Sequence, residues 1–297
     1  MSERESPVFG RKVFFLNPPY QISNFVIGRL RESEYEIYVI DDYKDAKNIL
    51  RHYPDSICFI NIDSVLTTDQ WLNFVVSLGR EEALKSIFLG VISKGMRQAE
   101  KTHFMLHAAV PAGFLVFNGN VTELTETLTE ILDLNGAKGR RSSVRATCAH
   151  DPTATVTLPT PEGNKAFRLL DISSVGIAAI APASYQNMFV PKTIFRNAPL
   201  RFGVNRVQAS LVLLMVKQSP KYISLVFLFT QGMPSNVKTT IREYVAYNLQ
   251  YEMRLAIENE PKDETDYSKS FTVTDGGDAF LIEDKDGDTP AVSGNAR

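Results

Sequence analysis

Arg140-Arg141-Ser142-Ser143-Val144-Arg145 and, 26 residues beyond its last arginine, Asp171-Ile172-Ser173-Ser174-Val175-Gly176 are the two stretches that decide how this chain folds. The first places three guanidinium groups within six residues, leading into a strand-length run at Val144–Thr147. The second lies between two further runs, Ala166–Leu170 and Gly176–Ala181. Outward from this pair the pattern repeats at Thr153–Leu158, Leu200–Val204, Ala209–Val216 and Tyr222–Phe229. Turn-forming residues separate the runs, among them Pro161-Glu162-Gly163-Asn164 and Ser219-Pro220-Lys221. Many short strands with little helix between them predict an antiparallel barrel.

A helix is expected to follow from about Ser235 to Glu258. Val237, Ile241, Val245, Leu249, Met253 and Ile257 recur every fourth residue along one face of it, a stripe that packs on the barrel or on a partner. From Pro261 the chain turns acidic and poor in large apolar residues, which predicts a disordered tail over 261–297.

The first 134 residues read differently, as alternating strands and helices. Strand-like runs stand at Val13–Leu16, Ile37–Ile40, Ile57–Ile62, Ile87–Ile92 and Gly113–Phe117. Between them lie helical stripes: Ile22, Val26 and Leu30 with Phe25 beside them; Ala46–Leu50; Trp71, Phe74, Val75 and Leu78 behind a Thr68 cap; and Gln98–His107. Asn120 with Glu123 three residues on resembles a capping box ahead of Leu124, Leu128, Ile131 and Leu132. Five such units predict a doubly wound parallel sheet. Asn135-Gly136-Ala137-Lys138-Gly139 is a polar, flexible junction. The expected division is an α/β domain at 1–134, an arginine-bearing linker at 135–145, a barrel with its helix at 146–260, and the tail.

The formal net charge of −2 supplies no global field for nucleic acid or anionic membrane, so an anionic ligand needs a local cation cluster. The two cysteines, Cys58 and Cys148, are far apart and have no metal-ligand spacing. The N-terminal residues contain no signal-peptide apolar core, and no apolar run reaches the ~20 residues of a membrane span. A soluble, cytoplasmic protein is expected.

The two opening stretches together resemble the two-part signature of the PilZ family, RxxxR followed by (D/N)xSxxG, and match it at every fixed position. The resemblance extends over roughly residues 139–258. It implies a β-barrel that binds cyclic di-GMP through Arg141, Arg145, Asp171, Ser173 and Gly176. Arg140, just before the motif, implies a link to binding two stacked nucleotides. The implied output is a protein partner of the motility or adhesion kind, with no enzymatic activity and no cofactor.

The chemistry fits without the family. Cyclic di-GMP is a dianion with two guanines. A guanidinium fork meets guanine O6 and N7 bidentately and bonds phosphate oxygens with charge assistance. Asp171 can accept from guanine N1–H or N2–H, Ser173 offers a hydroxyl, and Gly176 lets backbone or base approach closely. Either motif alone has a plain structural reading: a solvated charge pair, or a turn held by Asp and Ser.

The front domain resembles a response-regulator receiver in its β/α order. The residues that phosphoryl chemistry needs are altered. Asn17-Pro18-Pro19 follows the first strand where an acidic pair would hold Mg²⁺. Phe117-Asn118 ends the fifth strand where a lysine is wanted. Asp63 is close to the phosphoacceptor position, but Ile60 or Asn61 fits the spacing better, and only Ser93 matches. A degenerate, receiver-like module is expected. The acidic pair Asp41-Asp42 follows the wrong strand. His103 and His107, four apart, have no third ligand. Asp284-Lys285-Asp286-Gly287-Asp288 lacks full EF-hand spacing. The competing functions are a nucleotide-free PilZ scaffold and a phosphorelay output protein driven through Asp63. A nucleic-acid-binding barrel is disfavoured by charge.

Overall fold

The structure is a computed structural model that describes residues 9–269. Its first half is a five-stranded parallel sheet in the order β2-β1-β3-β4-β5. The strands are β1 (Val13–Leu16), β2 (Ile37–Ile40), β3 (Ile57–Asn61), β4 (Phe88–Ser93) and β5 (Gly113–Val116). β1, β3 and nearly all of β4 are buried along their length, which explains their unbroken apolar runs. The flanking helices are α1 (Ile27–Glu32), α2 (Tyr43–His52), α3 (Thr68–Arg80), α4 (Gln98–His107) and α5 (Val121–Leu134).

Three local details differ from the sequence reading. The first helical stripe opens with a π-helical turn at Ile22–Val26, where Ile27 N–H bonds Ile22 O, before α1 begins. That wider turn brings Ile22, Val26, Ile27 and Leu30 inward and leaves Phe25 exposed. Thr67, not Thr68, caps α3, in a reciprocal box with Gln70. Asn120 caps α5 by accepting from Glu123 N–H at 3.2 Å, but its partner is the Glu123 side chain acting on the Asn120 amide rather than on its backbone.

The second half is antiparallel. Its strands are β6 (Arg145–Thr147), β7 (Thr155–Thr160), β8 (Gly163–Ser173), β9 (Gly176–Pro182), β10 (Ile194–Phe202), β11 (Asn205–Gln218) and β12 (Tyr222–Phe229). The order β8-β7-β10-β11-β12-β9 returns to β8 through a β8–β9 pairing, closing a six-stranded barrel, with β6 added along β8. The strand expected at Leu200–Val204 starts earlier, at Ile194, and Gly203 and Val204 form the hairpin tip instead, Gly203 with φ of 52°. Alternating residues such as Phe167, Leu169, Ile177, Ala179, Leu211, Leu213, Leu225 and Phe227 fill the barrel.

The long helix α6 (Ser235–Ala256) packs on both halves. Val237, Ile241, Val245, Leu249 and Met253 are buried as the four-residue repeat predicts, and Ile257 is half-buried. Tyr244 and Asn248 are buried too, which widens the stripe. One face meets β6, β8 and β11, and another meets β2, α1 and α2. Gln250 fastens it to the sheet edge: its Oε1 accepts from Val39 N–H at 3.0 Å and its Nε2 donates to Val39 O at 2.6 Å.

Residues 261–269, read from sequence as the start of the disordered tail, lie against the front domain. Asn48 Nδ2 donates to Pro261 O at 2.8 Å and Asn73 Nδ2 to Tyr267 O at 2.9 Å. Tyr267 is buried edge-on to Phe74 and Tyr43. The remainder of the expected tail, with Asp284 to Asp288, lies outside the described residues. Among the described residues no helix is long and apolar enough to cross a membrane.

Candidate functional site

The site begins with strand pairing. β6 runs antiparallel to β8 with Arg145 opposite Ser173, Ala146 opposite Ile172 and Thr147 opposite Asp171. The two motifs, distant in sequence, are therefore cross-strand neighbours. Arg145 Nη1 reaches diagonally to Asp171 Oδ1 at 3.4 Å.

A β-bulge decides which way Asp171 points. Phe167 and Leu169 face the barrel interior, so strict alternation would turn Asp171 inward as well. The pairing with β9 shifts register between Leu169 and Asp171. After the shift Ile172 faces the core and Asp171 stands on the outer wall, beside Ala178. Bulges re-aim side chains in this way at functional edges.

The wall next to Asp171 is flat. Ile177, Ala179 and Ala181 fill the interior, which leaves Gly176, Ala178 and Ile180 for the outer face. Two of these three carry a methyl group or less, and both are covered in the free protein, Ala178 being only 6% exposed. Gly176 is needed for another reason as well. A Cβ at this position would stand 2.2 Å from Phe227 O, so β12 crosses too closely for any side chain. Ser173 is buried and its hydroxyl is committed to the turn: it donates to Gly176 O at 3.2 Å and accepts from Gly176 N–H at 3.2 Å. Ser173 and Gly176 shape the wall; Asp171 and the arginines present chemistry on it.

Burial raises the Asp171 carboxyl above the usual range, and this outweighs the pull of Arg145 and Arg141 in the other direction.

The junction expected to be flexible is fastened down. Arg11 N–H bonds Gly136 O at 2.9 Å and Ala137 N–H bonds Leu132 O at 3.0 Å. A Cβ on Gly139 would lie 2.4 Å from Gly10 N and from Phe9 C. These glycines allow two backbones to touch. Arg141, exposed beyond this anchor, lays its guanidinium carbon 4.3 Å from the Phe9 ring centroid, a cation–π contact. Arg140 is exposed beside it. The cleft among Phe9, Glu34, Glu36, Arg141 and Arg145 holds about 60 Å³, less than the ~300–1,000 Å³ of pockets that enclose a small ligand.

Sequence reasoning missed Phe9 and Glu34, because both come from the front domain and neither stands in a motif. Glu34, in the turn after α1, accepts from Val144 N–H, from Ser174 Oγ–H and from Arg242. Ala178 was also missed. Its signal is the small pair Ala178-Ala179, close behind Gly176.

At the end of β3, Asn61 Nδ2 donates to Asn17 O at 3.0 Å. Asp63 is boxed in by Ser93 Oγ–H at 2.6 Å and Lys94 N–H at 2.8 Å. Both thiols are buried, and burial pushes Cys58 and Cys148 up to about 12. His103 and His107 face each other with ring centroids 4.6 Å apart, and no cluster of three metal-ligating side chains occurs among the described residues.

No protein-family model matches the chain, and no curated protein matches it. Solved structures do. One is the PilZ domain of YcgR from Escherichia coli with c-di-GMP: 16% identity over 40% of this chain and 98% of that one, TM-score 0.35. Another is the Bacillus subtilis inhibitor of motility MotI/DgrA: 15% identity over 39% of this chain and 52% of that one, TM-score 0.31. A third is a signal receiver domain from Clostridium thermocellum: 10% identity over 41% of this chain and 97% of that one, TM-score 0.35. Each of these likenesses covers about two fifths of this chain. Of MotI/DgrA it spans about half the length.

Proposed function

We propose that this protein is a non-enzymatic receptor for cyclic di-GMP. The observation that carries the reading is the bulge that turns Asp171 out onto a flat Gly176–Ala178 wall, within reach of Arg145. One guanine lies on the wall with its N–H edge on Asp171. Arg145 then exchanges its carboxylate partner for guanine O6 and N7, or for a phosphate. Arg141 leaves or extends its stack on Phe9 to cover the second base, and Arg140 adds a cation for a second nucleotide. Ser173 and Gly176 hold the wall in shape. The front domain, the anchored junction at 135–139 and the barrel then form one signalling unit in the cytoplasm. Its output is a protein partner, of the motility or adhesion class.

A second reading has its own support. Ser173 is satisfied by its turn and Arg145 by Asp171, which is what a nucleotide-free barrel serving as a protein scaffold also shows. Calorimetric titration of the full chain with cyclic di-GMP separates the two. Saturable heat supports the receptor, and its stoichiometry, one or two nucleotides per chain, decides the role of Arg140. No heat selects the scaffold.

A further inference from the structure

Glu34 belongs to the front domain, yet its carboxylate is bound by three segments of the second half. Oε2 accepts from Val144 N–H at 3.2 Å. Oε1 accepts from Ser174 Oγ–H at 2.7 Å and from Arg242 through Nε at 3.1 Å and Nη2 at 2.9 Å. Val144 lies between Arg141 and Arg145 in the first motif. Ser174 lies between Ser173 and Gly176 in the second. Arg242 is on α6, and its Nη2 also donates to Glu32 O at 2.9 Å.

The pair is well shielded: the Glu34 and Arg242 side chains are 19% and 21% exposed. Glu34 also holds a left-handed backbone, with φ of 64°, a conformation that costs a residue bearing a Cβ and persists where its surroundings over-determine it. A strained residue whose carboxylate satisfies a backbone N–H, a hydroxyl and a guanidinium is fixed in place.

We propose that Glu34 is the positioning residue of the nucleotide site and the contact through which its occupancy reaches the front domain. This inference rests on the nucleotide reading above. Both motif halves are registered on one carboxylate. A ligand that draws Arg141 and Arg145 over the wall pulls on Val144 between them, and that pull acts on the turn between α1 and β2. Conversely, Glu34 restrains the linker before binding and so reduces the ordering entropy that the arginines lose when they close. Coupling of this kind is reciprocal.

The test uses the full chain and Glu34→Gly. Glycine removes the carboxylate and relieves the left-handed backbone, so the fold is retained. Thermal unfolding confirms that, and Arg242→Met breaks the ion pair from the other side without touching the linker. Amide exchange is followed in the peptides covering 30–37 and 140–146. Without nucleotide, the Val144 amide is expected to exchange about tenfold faster in Glu34→Gly, as fits the loss of a hydrogen bond to a charged group. With nucleotide, affinity falls about tenfold as pre-organisation is lost. Nucleotide protects 30–37 in the wild type and not in the variant. Equal affinity and equal protection in both proteins would overturn the role of Glu34 and leave the receptor reading standing. If the wild type binds no nucleotide, the receptor reading fails, and with it the coupling. The exchange comparison without nucleotide then decides the tether alone: unchanged Val144 exchange removes it as well.

Discussion

Arg145 and Asp171 face each other diagonally across the β6–β8 ladder, 3.4 Å between Nη1 and Oδ1. The pair lies on the barrel's outer wall, where an ion pair contributes only ~0–1 kcal/mol to stability. Arg145→Ala is therefore expected to leave thermal unfolding nearly unchanged. Its cost falls on nucleotide affinity, about 1–3 kcal/mol for one bidentate guanine contact. Arg141→Ala behaves alike. Calorimetry beside a melting curve checks both, and a wild-type affinity in either variant contradicts the assignment.

The raised Asp171 carboxyl gives a pH dependence with a definite sign. Its folded pKa lies above its unfolded value. The carboxyl's contribution to stability is therefore complete below the unfolded pKa and is lost as pH rises through the folded one. At neutral pH the free protein holds a destabilised carboxylate, so Asp171→Asn is expected to raise the melting temperature slightly. Guanine N–H groups bond the ionised form. Affinity should fall as pH is lowered from neutral toward the ordinary Asp range near ~4, and Asp171→Asn should bind weakly at every pH. A titration series across that window reads both effects.

The flat wall makes a steric prediction. Ala178 pairs with Asp171 in the β8–β9 ladder and with Val226 in the β9–β12 ladder. Ala178→Phe places a ring on the outward side of β9, where the guanine is expected, at a position that is only 6% exposed in the free protein. Nucleotide binding should be abolished while the circular dichroism spectrum keeps its shape, with a melting loss of no more than about 1–3 kcal/mol, the range for overpacking a covered site. Undiminished binding would move the ligand off this wall.

Gly176 makes the opposite prediction. A Cβ 2.2 Å from Phe227 O forces β9 and β12 apart, so Gly176→Ala should destabilise by about 1–3 kcal/mol, the range for overpacking. The loss appears in denaturant unfolding even without nucleotide, which separates this residue's part from that of Arg141 and Arg145.

Much of this was legible in the sequence, for reasons of scale. The buried runs of β1 and β3 and the four-residue repeat of α6 are long patterns that local chemistry fixes. The motif spacing brought Arg145 opposite Ser173, because one hairpin separates the two strands. Shorter-range choices were harder to read. Thr67 and Thr68 are equally good caps until Gln70 selects one. The bulge at Leu169–Asp171 cannot be read, because either register of that strand keeps an apolar residue inside. Glu34 was invisible for a different reason: its partners lie 110, 140 and 208 residues away, and nothing local marks a glutamate that a distant linker will use. The junction was misread because Gly139 is as consistent with close contact as with freedom.

The amide of Gln250 on both polar atoms of Val39 has a consequence for any rearrangement of the two halves. β2 is the outermost strand of its sheet, and this side chain occupies part of the backbone that a further strand would claim. If α6 swings away from the sheet, the strand regains an open, adhesive rim able to add an extended segment from another polypeptide. The helix is thus also a sheath, and its release would make the molecule self-sticky as well as differently shaped.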